Sequence, residues 1–131
     1  MKKNKNNQPV VLVVEDDKPL STAIAKKLEL SDFFVITATS VNQALEYIDG
    51  SDRIDVVWLD HYLLGNEGGL DLVTKLKSNK ETKKIPIFVV SNTATVDKVK
   101  TYMRLGVDKY YIKSNSRLED IVNEMKNFLI N

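Results

Sequence analysis

The chain has 131 residues, 43% hydrophobic and 28% charged, which suits one soluble domain with one core. Its 19 Lys and Arg against 18 Asp and Glu leave a net charge of +1, so the overall balance favours neither nucleic acid nor a membrane surface. No cysteine is present, which excludes disulfides, thiolate catalysis and cysteine-based zinc sites.

Residues 1–8 are basic and polar, and no long apolar segment or small-residue cleavage site follows them. They read as a flexible tail ahead of a domain spanning 9–131. No stretch approaches the ~20 apolar residues of a membrane span, so a cytoplasmic protein is expected. Val10–Val14 is a continuous apolar run led by Pro9 and ended by Glu15, Asp16 and Asp17. Such a run predicts a strand buried on both faces. Pro19 suits the first turn of a helix whose face carries Leu20, Ile24 and Leu28.

A second β-rich run covers 33–37. Ser40 and Gln43 then resemble a capping box, ahead of a helical stripe through Val41, Ala44, Leu45 and Ile48 that Gly50 ends. Val56–Leu59 is the third buried strand and closes on Asp60. After it, Gly65, Gly68 and Gly69 allow a sharp turn into a helix over 70–77. The lysine-rich connection 78–84 leads to a fourth strand over 85–90, with Pro86 near its start. Val96, Val99 and Met103 mark the next helix, stopped by Gly106. A short fifth strand covers 110–112. Ser116 and Glu119 form another capping-box pattern before the last helix, with Leu118, Ile121, Val122, Met125, Phe128 and Leu129 on its stripe. Five strand–helix repeats predict an α/β domain with a parallel sheet covered on both faces.

In a parallel sheet the strands' C-terminal residues gather on one rim, where open α/β folds place their ligands. Here the rim receives Glu15, Asp16 and Asp17, then Asp60, then Ser91 and Asn92, then Lys113. Neighbouring carboxylates repel one another and favour a cation or a proton. Mg²⁺, with its preference for oxygen ligands and phosphate, answers that need. Ser91 is placed to donate to a phosphoryl oxygen and Lys113 to neutralise it, with Asp60 as the nucleophile of an aspartyl phosphate. His61, the only histidine, adjoins Asp60 but reads as structural, and no nucleophile elbow accompanies it. Trp58 reads as core, and Lys75, Lys77, Lys80, Lys83 and Lys84 as a solvated face with a lesser chance of forming a docking patch.

The motifs LVVEDD, VVWLD followed by GNEG, PIFVVSN and GVDKYYIK resemble a response-regulator receiver domain of two-component signalling, similar to the single-domain chemotaxis-type regulators. The likeness covers residues 10–129. It implies a flavodoxin-like (βα)5 doubly wound sheet of strand order 2-1-3-4-5. It implies further that Glu15 and Asp16 help hold Mg²⁺, that Asp60 accepts the phosphoryl group and that the Tyr62 backbone carbonyl completes the metal shell. Ser91 and Lys113 match the phosphoryl-sensing hydroxyl and the lysine, and Tyr110 matches the aromatic switch. The implied partners are a sensor histidine kinase or phosphotransfer protein, and a target or second copy at the fourth helix, fifth strand and fifth helix. Direct nucleic-acid contact and membrane association are not implied. Such a domain is a switch that accepts and loses phosphate rather than an enzyme. Tyr62 and Asn92 would flank the water that ends the signal. Leu64, Asn92 and Ser114 stand where that family usually has Pro, Ala and Pro, yet none removes a group the reaction needs.

Rival readings are a degenerate receiver acting as an unphosphorylated scaffold, an aspartyl-phosphate phosphohydrolase, and a flavin or nucleotide binder. The phosphohydrolase would want an acid two residues past Asp60, where Tyr62 stands. A flavin or nucleotide binder would want an anion cradle after the first strand, where the acids would repel phosphate.

Overall fold

The computed structural model describes residues 4, 6–50, 53–60, 68–92 and 95–130. In chain order these form β1 (Val10–Val14), α1 (Lys18–Leu30), β2 (Phe34–Ala38), α2 (Val41–Asp49), β3 (Val56–Leu59), α3 (Gly69–Lys77), β4 (Ile87–Ser91), α4 (Val96–Leu105), β5 (Lys109–Ile112) and α5 (Leu118–Ile130). The strands lie in the order β2-β1-β3-β4-β5, every pair parallel. The expected flavodoxin-like doubly wound sheet is therefore the observed one.

The three central strands are buried along their whole length, which is why their sequences run apolar without alternation. Successive side chains still point to opposite faces, and this divides the core in two. On one face Leu12, Val14, Val57, Leu59, Ile87 and Val89 pack with α2, α3 and α4 through Ala44, Leu72, Val73, Leu76 and Tyr102. On the other Val11, Val13, Val56, Trp58, Phe88 and Val90 pack with α1 and α5 through Ile24, Leu28, Ile121, Val122 and Met125. Each fully buried side chain of this kind contributes about 1.5–3 kcal/mol relative to exposure.

Element ends differ from the sequence expectation for local reasons. The Phe33 N–H still bonds the Leu28 carbonyl at 3.1 Å, so β2 starts one residue late, after Asp32 turns the chain with φ of 70°. Pro86 has no N–H to give, and β4 starts at Ile87, whose N–H donates to Asp108 Oδ2 at 2.9 Å. Asp55 does the same for β1, accepting from the Val10 N–H at 2.7 Å. Two aspartates thus satisfy the first donors of two buried strands, a role that no sequence pattern announced. Gly106 ends α4 at φ 98°, a left-handed conformation that needs glycine. Ser40 Oγ accepts from the Gln43 N–H as expected, but the Gln43 side chain reaches back to Thr39 N. The Ser116–Glu119 box does not form. The first helical bonds of α5 run to the Arg117 carbonyl, which moves the cap one residue on, and Glu119 lies near Lys27 and Arg117.

Tyr111 on β5 carries a defect that can be measured. Its ring packs on Phe88 at 6.1 Å between centroids, and its hydroxyl is buried with no hydrogen-bond partner among the described residues. Burial, with the nearby Glu124 carboxylate, pushes the phenol up to about 12. A buried unsatisfied hydroxyl costs roughly 1–3 kcal/mol, so Tyr111→Phe should stabilise the fold by about 1 kcal/mol at neutral pH. A phenol pKa raised by folding gives stability that is complete below the unfolded value near 10 and is lost as pH climbs toward 12. Urea titrations at pH 8 and pH 11 should therefore show the advantage of Tyr111→Phe widening. A less stable variant, or a constant difference, contradicts the assignment.

Candidate functional site

The site lies at the C-terminal edge of the sheet, and backbone pairing carries the chain into it. Glu15 N–H bonds the Ala38 carbonyl and Asp60 N–H bonds the Val14 carbonyl, each at 2.9 Å. Both acids thus continue the parallel ladder one step past β1 and β3, which fixes their positions from below. Glu15 is 1% exposed and Asp60 6%, unusual burial for carboxylates. Asp16 is half-buried beside them. One oxygen from each of Glu15, Asp16 and Asp60 falls within 4.8 Å of the others.

Asp17, placed on the same rim by sequence, has a different task. Its Oδ1 accepts from the Leu20 N–H at 3.0 Å and caps α1. Its own N–H donates to Glu15 Oε2 at 3.2 Å, so it helps hold the site without joining the cluster.

Lys113 enters from β5, its N–H bonded to the Ser91 carbonyl at 2.8 Å. Its Nζ donates to Glu15 Oε1 at 3.1 Å and stands 3.6 Å from Asp60 Oδ1. The Lys113–Ser114 peptide is trans, like every described peptide bond. One ammonium facing three carboxylates leaves an excess of negative charge. Burial holds the Glu15 carboxyl above its ordinary value of 4.5, the neighbouring Asp60 carboxyl adds to the rise, and the Asp17 N–H and Lys113 only partly oppose it. Asp16 is raised as well, first by burial and then by Glu15.

Ser91 is the last residue of β4 and fully buried. In register it stands opposite Ile112, while Val89, two residues earlier on the same face, stands opposite Tyr110. Tyr110 is half-buried and its ring lies 5.7 Å from that of Tyr102 on α4. Ser91 and Tyr110 thus share the face covered by α4. Asn92 follows Ser91 and is exposed. His61, Tyr62 and Leu64 lie outside the described residues. Trp58 is core as expected, 1% exposed. An open pocket of about 160 Å³ is lined by Lys113 and Trp58 together with Leu20, Ile24, Val90 and Ile121.

Residues 11–126 match the family model described as the response regulator receiver domain. The chain belongs to that family. It is 34% identical over 105 residues to the transcriptional regulatory protein MalR of Bacillus subtilis (strain 168), covering 79% of this chain and 43% of that protein. The chain thus spans less than half the length of that relative. Among solved structures, the phosphorylated cyanobacterial phytochrome response regulator RcpA superposes with a TM-score of 0.83 at 25% identity, over 95% of each chain. The Mn(2+)-bound form of response regulator Rcp1 gives 0.80 at 26%, over 92% of this chain and 93% of that one. Receiver domains act as signalling switches, and no described helix is long and apolar enough to cross a membrane.

Proposed function

We propose that this receiver domain is switched by Mg²⁺-dependent phosphorylation of Asp60. The observation that carries the reading is the close set of Glu15, Asp16 and Asp60 oxygens with Lys113 Nζ 3.6 Å from Asp60. Three hard oxygen donors and an excess negative charge fit a hard divalent cation, and a related regulator has been solved with Mn²⁺ bound. Bound by Glu15, Asp16, Asp60 and the Tyr62 carbonyl, Mg²⁺ would supply charge neutralisation and polarise a phosphoryl oxygen.

The chain's own groups divide the rest of the work. An Asp60 Oδ lone pair forms the new O–P bond while the bond from phosphorus to the donor's histidine nitrogen breaks, and that electron pair stays on the donor imidazole. Lys113 neutralises the arriving phosphoryl group, exchanging part of its pairing with Glu15 for it. The Ser91 hydroxyl donates to another phosphoryl oxygen, and its movement opens space for Tyr110 on the same sheet face. The altered surface is α4, β5 and α5, offered to a target protein or a second copy. The donor is a sensor histidine kinase or phosphotransfer protein, and the setting is cytoplasmic. Asn92, with Tyr62, governs how water reaches the aspartyl phosphate.

Two measurements test this reading together. Titrating Mg²⁺ while following the fluorescence of Trp58, the single tryptophan, should show saturable binding that Asp16→Ala weakens at least tenfold, about 1.4 kcal/mol. Adding beryllofluoride should then shift amide signals across 95–115 as well as around Asp60. Unaltered affinity in Asp16→Ala removes the metal assignment, and shifts confined to the Asp60 pocket remove the switch.

A further inference from the structure

At the opposite end of the sheet from Asp60, charge is concentrated in a way the phosphorylation chemistry does not use. Between residues 75 and 84 the chain carries five lysines and one glutamate, a net +4 within a molecule of net +1. Lys75 and Lys77 in the last turn of α3, and Arg104 in the last turn of α4, have an ordinary explanation, because cations there complement the negative ends of helix dipoles. Lys80, Lys83 and Lys84 lie beyond the helix and have no such reason. All three are exposed, and neither they nor Arg104 has a carboxylate within ion-pair distance among the described residues.

The segment bearing them is tied down. Thr82 Oγ1 donates to the Leu76 carbonyl at 2.7 Å, Lys83 N–H to the Asn79 carbonyl at 2.9 Å, and Glu81 N–H to Asn79 Oδ1 at 2.9 Å. Lys77 Nζ donates to the Lys83 carbonyl at 3.0 Å, and its stem runs past Gly106, the cap of α4. A backbone tied down in this way spares the main-chain part of the ordering cost that a flexible lysine tract would bear on binding.

We infer that this rim, made by the end of α3 and the 78–84 connection, docks an acidic polypeptide segment of a partner protein, independently of phosphorylation. A polypeptide is favoured over nucleic acid for two reasons. Phosphate sites draw on N–H donors at helix N-termini, whereas this rim is built at a helix C-terminus, which offers none. The 75–84 stretch also holds no aromatic ring on which a base would stack.

The test uses a fluorescein-labelled peptide of alternating glutamate and glycine, with fluorescence anisotropy at low and moderate salt, and a labelled DNA duplex as competitor class. The triple variant Lys80→Glu, Lys83→Glu, Lys84→Glu should lose at least tenfold in peptide affinity. Lys26→Glu, Lys27→Glu, Lys109→Glu makes the same change in net charge elsewhere and should lose less than threefold. Beryllofluoride and Asp60→Asn should leave affinity unaltered, which separates this result from the fate of the phosphorylation reading. Protection of Lys80, Lys83 and Lys84 from acetylation by the peptide, measured on the unmodified chain, gives an answer that does not depend on variant folding. Equal losses in both triple variants, tighter binding of the duplex than of the peptide, or absence of protection would each overturn the inference.

Discussion

Lys113→Ala should destabilise the metal-free protein at pH 7 by about 3 kcal/mol, the low end for breaking a buried ion pair. The low end applies because the Lys113 side chain keeps 21% exposure, whereas the Glu15 side chain has 1%. Without the ammonium, two carboxylates buried at the strand ends face each other with no cation among the described residues between them. The pH dependence distinguishes this from lost packing. A Glu15 carboxyl raised by folding contributes stability that is complete below its unfolded value near 4.5 and is lost as pH rises through the folded value. Removing Lys113 lifts that folded value further, since Lys113 is one of the groups that lowers it. The deficit should therefore be smaller at pH 4.5 than at pH 7, and Mg²⁺ should recover part of it. Urea denaturation across that range measures it. A deficit equal at both pH values would mean that only the lysine stem matters.

Trp58→Ala should cost about 3–5 kcal/mol, a large share of the roughly 5–15 kcal/mol that holds a domain together. Trp58 is central in β3, in register with Val13 on one side and Phe88 on the other. Its ring is the largest fully buried side chain of the α1–α5 face. The cost should fall toward the upper end, because the ring is 1% exposed and the side chains packed around it are themselves buried. Trp58→Phe should recover more than half. Equilibrium unfolding followed by far-UV circular dichroism reads both variants. A loss below 2 kcal/mol for the alanine variant would show that the neighbouring side chains collapse into the space.

The legibility of the chain divided along physical lines. Runs such as Val10–Val14 and Val56–Leu59 can lie only in the middle of a covered sheet, so strand count, parallel direction and the acidic rim all followed from them. Glu15, Asp16, Asp60 and Lys113 meet because parallel strands end together, which a sequence can state without coordinates. Asp17 was grouped with them because a helix cap and a metal ligand call for the same short acid at the same place. Only the Leu20 N–H, bonded to its carboxylate, separates the two roles. The Ser116–Glu119 pattern misled because a one-residue shift of the helix start turns Glu119 toward Lys27. Asp55 and Asp108 were invisible because each serves a strand distant in sequence, β1 and β4 respectively. The lysines of 75–84 read from spacing as a solvated face with a lesser chance of forming a docking patch, and spacing says nothing of the hydrogen bonds that fix their backbone.

Intact-mass measurement after incubation with acetyl phosphate and Mg²⁺ tests the central claim most directly. The protein should gain the mass of one phosphoryl group, the gain should vanish when Mg²⁺ is chelated, and Asp60→Asn should show none. A phosphoryl group acquired equally by Asp60→Asn, or no gain by the unmodified chain under conditions where Mg²⁺ binding is saturated, would contradict Asp60 as the phosphoacceptor.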